Sequence, residues 1–71
     1  MALSDEIRNK GWKKVVQIMK RRGFYSTWCI YIPEKKINAV NFVKVGSGVT
    51  LESIVIGFND NWRVKEVGVS C

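Results

Sequence analysis

The sequence has no histidine, one proline, two cysteines and no long apolar run. Without histidine, the commonest general base and the commonest metal ligand are both missing. Cys29 and Cys71 are too few and too far apart for a zinc knuckle or a redox pair, so neither a metal nor a cofactor is expected. No stretch approaches the roughly 20 apolar residues of a membrane span. The opening Met-Ala-Leu-Ser-Asp-Glu has neither the basic nor the apolar region of a secretory signal. A cytoplasmic protein with reduced thiols is expected, with no membrane partner. Cys71 reads as a chance last residue, an exposed thiol or a crosslink point.

Acids are scarce too: six Asp and Glu stand against twelve Lys and Arg, for a net charge of +6. Residues 8–22 hold seven cations and no acid, while everything after Arg22 nets only +1. The excess is local, as a binding face would require. Glu34, Glu52, Asp60 and Glu66 are scattered, and no two are spaced for paired acid and base work. An enzyme is therefore not expected, nor a small-molecule substrate. Chemistry by Lys, Arg and Tyr, as in some ribonucleases, is the only catalytic route left open.

What the chain does have is 46% hydrophobic residues, among them three Trp, three Phe and two Tyr, more than a disordered chain carries. Its 71 residues allow one small domain, 1–71, without repeats, linkers or low-complexity runs. A chain this short buries only about 60% of the surface that its unfolded form exposes, so a partner subunit would help it.

Residues 4–23 carry the helical pattern. At about 100° per residue, Ile7, Gly11, Trp12, Val15, Val16, Ile18 and Met19 fall in one half of the wheel, interrupted only by Arg8 and Arg22. Lys10, Lys13, Lys14, Lys20 and Arg21 occupy the other half, with Glu6 as its only acid. Ser4 is a candidate N-cap, and Asp5 and Glu6 suit the first turn. Lys20, Arg21 and Arg22 suit the last, and Gly23 offers a left-handed stop. Gly11, on the apolar side, is expected to allow close approach to a sheet, a kink being the alternative. The stems of Arg8 and Arg22 should cover the sheet, with their guanidinium groups reaching toward Glu52 or Glu66.

From Phe24 the period changes to two. Phe24–Ile32 is aromatic and β-branched, with Trp28, Ile30 and Ile32 on one side and Tyr25, Thr27, Cys29 and Tyr31 on the other. Pro33 ends it, and Glu34, Lys35 and Lys36 form a charged hairpin loop. Residues 37–45 are apolar on both sides, as a central strand would be. Gly46-Ser47-Gly48 reads as a tight turn rather than a phosphate loop, because no helix clearly follows it. Val49–Phe58 satisfies helical spacing after Thr50 as well, but Ile54-Val55-Ile56 and the following Gly57 favour a strand. Asn59-Asp60-Asn61 is a turn. In the last strand, residues 62–69, a bulge at Lys65 or Glu66 would bring Trp62, Val64, Val67, Val69 and Cys71 onto one face.

The fold expected is α+β, an N-terminal amphipathic helix on a four-stranded antiparallel meander. The order helix, Arg22-Gly23-aromatic, then strands resembles double-stranded-RNA-binding-like αβββα folds. The second helix of those folds has no counterpart here, and no residue roles follow from the likeness.

The functional reading is a basic nucleic-acid binder, DNA or RNA, that uses phosphate contacts with little sequence preference. Its expected contacts are Lys10, Lys13, Lys14, Lys20 and Arg21, extended by Arg22, Lys35 and Lys36 if the first hairpin folds beside the helix end. If the helix covers the Trp28 side, Tyr25 and Tyr31 are free to stack on bases or to pack on a second subunit. The alternative is a protein-interaction module, a small regulator or inhibitor, using a sheet edge or that tyrosine face. A homodimer is compatible with both.

Overall fold

The structure, a computed structural model, describes residues 3–69. Two helices, α1 (Leu3–Ile7) and α2 (Trp12–Arg21), precede four strands, β1 (Phe24–Ile32), β2 (Ile37–Gly46), β3 (Val49–Phe58) and β4 (Val64–Val69). The strands form one antiparallel sheet in the order β1-β2-β3-β4, a meander. The fold is α+β, as the pattern predicts, and Val49–Phe58 is a strand.

The continuous helix expected over residues 4–23 is broken. Asn9 takes φ 60°, a left-handed conformation that asparagine tolerates and a helix interior does not. Residues 10–12 then pair with 62–64: Trp12 N–H donates to Trp62 O (2.9 Å) and Val64 N–H to Lys10 O (3.0 Å). The backbone spends its hydrogen bonds on the sheet loop instead of on a helical turn. Gly11 does not serve close approach, since a Cβ there would meet only Trp62 O at 4.0 Å. Ser4 is the second residue of α1 and so is not its N-cap. At the other end Gly23 does supply the left-handed stop, with φ 87°.

Ile7 from α1 and Val15, Ile18 and Met19 from α2 are buried against Phe24, Val40, Phe42, Ile54, Ile56 and Phe58. Val64 and Val67 of β4 pack on the same core. The register explains how β4 reaches it: Phe58 pairs with Val64 but Gly57 with Glu66, leaving Lys65 as the extra residue. This is the bulge that the parity conflict predicts, and it turns both Val64 and Val67 to the helix side. Cys71 lies outside the described residues.

A second bulge reverses the expected faces of β1. Ser26 pairs with Phe42 and Trp28 with Asn41, leaving Thr27 as the extra residue. Beyond it Cys29 and Tyr31 stand opposite Val40 and Asn38 on the helix side, whereas Trp28, Ile30 and Ile32 share the far face with Tyr25. Asn41, buried on that far face, holds the irregularity in place. Its Nδ2 donates to Thr27 Oγ1 (2.8 Å), and its Oδ1 accepts from Ser53 Oγ (3.0 Å). Gly57, in the next row, lets Ile37 and Glu66 close over it: a Cβ would come within 2.8 Å of Ile37 Cδ1.

The turns follow their residue chemistry. Ser47 and Gly48 both adopt positive φ, 53° and 77°, as a two-residue hairpin turn requires. No helix among the described residues is long and apolar enough to cross a membrane.

Candidate nucleic-acid interface

On α2 the basic side chains separate cleanly from the buried ones. Lys13, Lys14, Lys20 and Arg21 are exposed and fall, with Gln17, within about 120° of arc at about 100° per residue. Val15, Ile18 and Met19 are buried on the opposite side. Among the described residues the four cations form no salt bridge; the ion pairs there are Arg8 with Asp5, Arg22 with Glu6 and Lys35 with Glu66. Lys13 and Arg21 lie about 12 Å apart along the axis, at about 1.5 Å per residue. Lys10 is exposed but belongs to the bridging segment, not to the helix.

Three of the expected contacts lie elsewhere. Arg22 reaches back to α1, where its Nε and Nη2 both donate to Glu6 Oε1 at 2.9 and 2.7 Å. It fastens α1 to the end of α2, so its partner is neither Glu52 nor Glu66. Arg8, the residue after α1, pairs with Asp5 of that helix at 3.5 Å. Lys35 and Lys36 sit in the hairpin at the far end of β1 from Gly23, eight residues of strand or about 26 Å away at about 3.3 Å per residue. Lys35 Nζ is engaged by Glu66 at 3.4 Å, and its carbonyl accepts from Lys65 Nζ at 3.0 Å. The first hairpin therefore does not extend the basic face beside the helix end.

The two tyrosines are separated by the Thr27 bulge. Both are open to solvent, Tyr25 at 54% and Tyr31 at 53%, but Tyr25 stands on the far face and Tyr31 on the helix side. Tyr31 pairs with Asn38, whose Nδ2 donates to Asn59 O, in the loop after β3, at 3.4 Å.

That loop builds a feature the sequence pattern does not disclose. An open groove of about 730 Å³ lies at the N-terminal end of α2, lined by Trp12, Lys13, Lys14, Cys29, Trp62 and Arg63 among others, none of them acidic. Cys29 beneath the first turn of α2 means that the helix runs antiparallel to β1, with Lys20 and Arg21 at the opposite end. Trp12 anchors the groove to the core, its ring edge-on to Phe58 at 5.4 Å and tilted to Phe42 at 6.3 Å. Trp62 continues the cluster outward, 5.7 Å from Trp12 and 5.8 Å from Phe58. Arg63 Nη1 donates to Asn9 O at 3.0 Å across the break between the helices.

Trp62 is held in an uncommon backbone conformation, φ 58°, which for a bulky residue costs on the order of 1–3 kcal/mol. The surrounding bonds maintain it. Asn59 Oδ1 accepts from the N–H groups of Asn61 (2.9 Å) and Arg63 (3.1 Å), and Trp62 N–H donates to Asn59 O (2.9 Å). An apolar side chain in a loop otherwise made of Asn59, Asp60, Asn61 and Arg63 is the one sequence signal that points here.

Together these residues offer anion contacts along one helix, leading into an aromatic groove with a basic rim. Among the described residues no group of three or more His, Cys, Asp or Glu is placed to hold a metal ion. No protein-family model, no curated protein and no solved structure matches this chain.

Proposed function

We propose that this chain binds nucleic acid by its phosphate backbone, with little base readout, through the exposed face of α2. The observation that carries this reading is the set Lys13, Lys14, Lys20 and Arg21: four exposed cations on one arc, in no salt bridge among the described residues. A solvated helix ordinarily interleaves acids with such cations at i, i+4 spacing, whereas α2 has no acid at all. Cations left free in this way can release counterions from a polyanion, which drives binding of this kind. Labelled mixed-sequence DNA and RNA, single-stranded and duplex, test the reading at two salt concentrations. Affinity should fall steeply as salt rises; no binding even at low salt would remove it.

A second reading rests on the edge strand β1. Tyr25, Trp28 and Ile30, at 54%, 44% and 53% exposure, share the face away from the helices, and among the described residues no strand lies beside the outer backbone edge of β1. Such an edge with an apolar flank suits pairing with a second copy of the chain. Light scattering should then give a dimer that Ile30→Arg dissociates. A monomer at high protein concentration would rule out that pairing.

A further inference from the structure

We infer that the Trp12–Trp62 groove takes one unpaired base of a single strand, stacked on the Trp62 indole, with the adjoining phosphates on Lys13, Lys14 and Arg63. The inference rests on the nucleic-acid reading and adds to it the form of the polymer. A paired base offers a protein only its edges in the grooves of the duplex, whereas an unpaired base offers its whole π-face. Trp62 is suited to meet such a face. The residue is 39% exposed, yet its position is fixed by Trp12 and Phe58 on the inside and by the Asn59 hydrogen bonds on the backbone. A platform held in advance loses little freedom when a base docks on it.

The chemistry of the rim narrows the occupant further. Lys13, Lys14 and Arg63 surround an apolar floor, and no acid lines the groove. A purely apolar peptide or ligand would leave three cations without counter-charge. An aromatic ring carrying a phosphate satisfies both parts, as in a strand or a free nucleotide. The strand is favoured because the cations continue past the groove, along α2 to Lys20 and Arg21, about 10 Å beyond Lys13 and Lys14 at about 1.5 Å per residue. A mononucleotide would leave that second pair unused. Stacking without edge readout also predicts tolerance of every base.

The test uses the full chain, wild type and variants, with a labelled 12-nucleotide mixed-sequence single strand, the same sequence as a duplex, and adenosine monophosphate. Trp62→Ala should weaken single-strand binding by about 5- to 150-fold, the range that stacking one base supplies, and leave duplex affinity and its salt dependence unchanged. Trp62→Phe keeps an aromatic face and should retain most of the affinity, which makes the test independent of how well the alanine variant folds. Trp28→Phe, on the opposite face, should change nothing. Adenosine monophosphate should bind far more weakly than the strand. Equal losses for single strand and duplex in Trp62→Ala, or no loss in either, would overturn the inference while leaving salt-dependent binding by α2 intact. A monophosphate that binds as tightly as the strand would replace the strand by a nucleotide as occupant. Absence of all nucleic-acid binding by the wild type would instead remove the parent reading, and this one with it.

Discussion

Replacing Lys20 and Arg21 together by Gln removes half of the cations that α2 presents and leaves the groove untouched. Both are exposed in the last turn, so the fold loses about 0.3–1 kcal/mol for each from the helix dipole. If Lys13, Lys14, Lys20 and Arg21 each neutralise one phosphate of a single strand, log K falls against log salt with a slope of about −2.8, at about −0.7 per contact. Between about 50 and 200 mM salt that is roughly a 50-fold loss of affinity. The double variant loses two of these contacts, so its slope should be shallower by about 1.4 and its loss over the same range roughly sevenfold smaller, whatever Arg63 adds to both proteins. Fluorescence anisotropy of a labelled mixed-sequence strand at several salt concentrations reads both slopes, and a thermal melt confirms that the variant is folded at each. An unchanged slope would mean that Lys20 and Arg21 release no counterions. The phosphate track along α2 would then be wrong, whatever the affinity.

Three further substitutions probe the scaffold that positions this surface. Gly57→Ala should cost about 1–3 kcal/mol in chemical denaturation, because its methyl group meets the buried Ile37 side chain at 2.8 Å and Glu66 Cγ at 3.1 Å; a neutral result would mean the far face is looser than described. Asn41→Ala should cost about 1–2 kcal/mol by the same assay and raise amide exchange around Thr27, since it removes the partner of both Thr27 and Ser53; unaltered exchange would detach the bulge from that side chain. Gly11→Ala should be tolerated or stabilise by up to about 1 kcal/mol, because φ −81° suits alanine and the site is open. A large loss would show that close approach at Gly11 matters after all.

Patterns of period and punctuation carried most of the topology. The boundaries of β1, β2 and β3, the Ser47-Gly48 turn and the Lys65 bulge were legible because local residues encode them: β-branched runs, glycine, and a parity conflict between Val64 and Val67. The start of β4 was not: the strand begins at Val64 rather than Trp62, because Trp62 takes φ 58° and stays in the loop. The Thr27 bulge was not. Either alternation of β1 is apolar enough to face a core, and the choice is made by Asn41, 14 residues away, through its bond to Thr27. The helix break was legible only as the kink allowed for at Gly11, which caps α2; its centre at Asn9 was hidden for a related reason. Ile7 keeps its place on the apolar half of a continuous wheel, so the pattern is blind to Asn9 turning left-handed and to residues 10–12 pairing with 62–64.

The basic face of α2 was readable because it lies within one element. The groove was not, since it joins Trp12 to a loop 50 positions later. Trp12 was expected in the core and does reach it through Phe42 and Phe58; its second role as a groove wall depends on Trp62. Arg22 illustrates the converse. Its charge and position suggest a phosphate contact, but Glu6, brought back by the break in the helix, engages it at 2.7 Å.

The most direct test of α2 as the phosphate-binding surface is the fourfold change of Lys13, Lys14, Lys20 and Arg21 to Glu. New acids in the first turn suit the helix dipole and those in the last oppose it, so the two effects offset and the fold should survive. Circular dichroism checks that, and anisotropy with mixed-sequence single strands at low salt measures binding. An unchanged spectrum with no detectable binding is the predicted result. Undiminished binding by the folded variant would contradict the account.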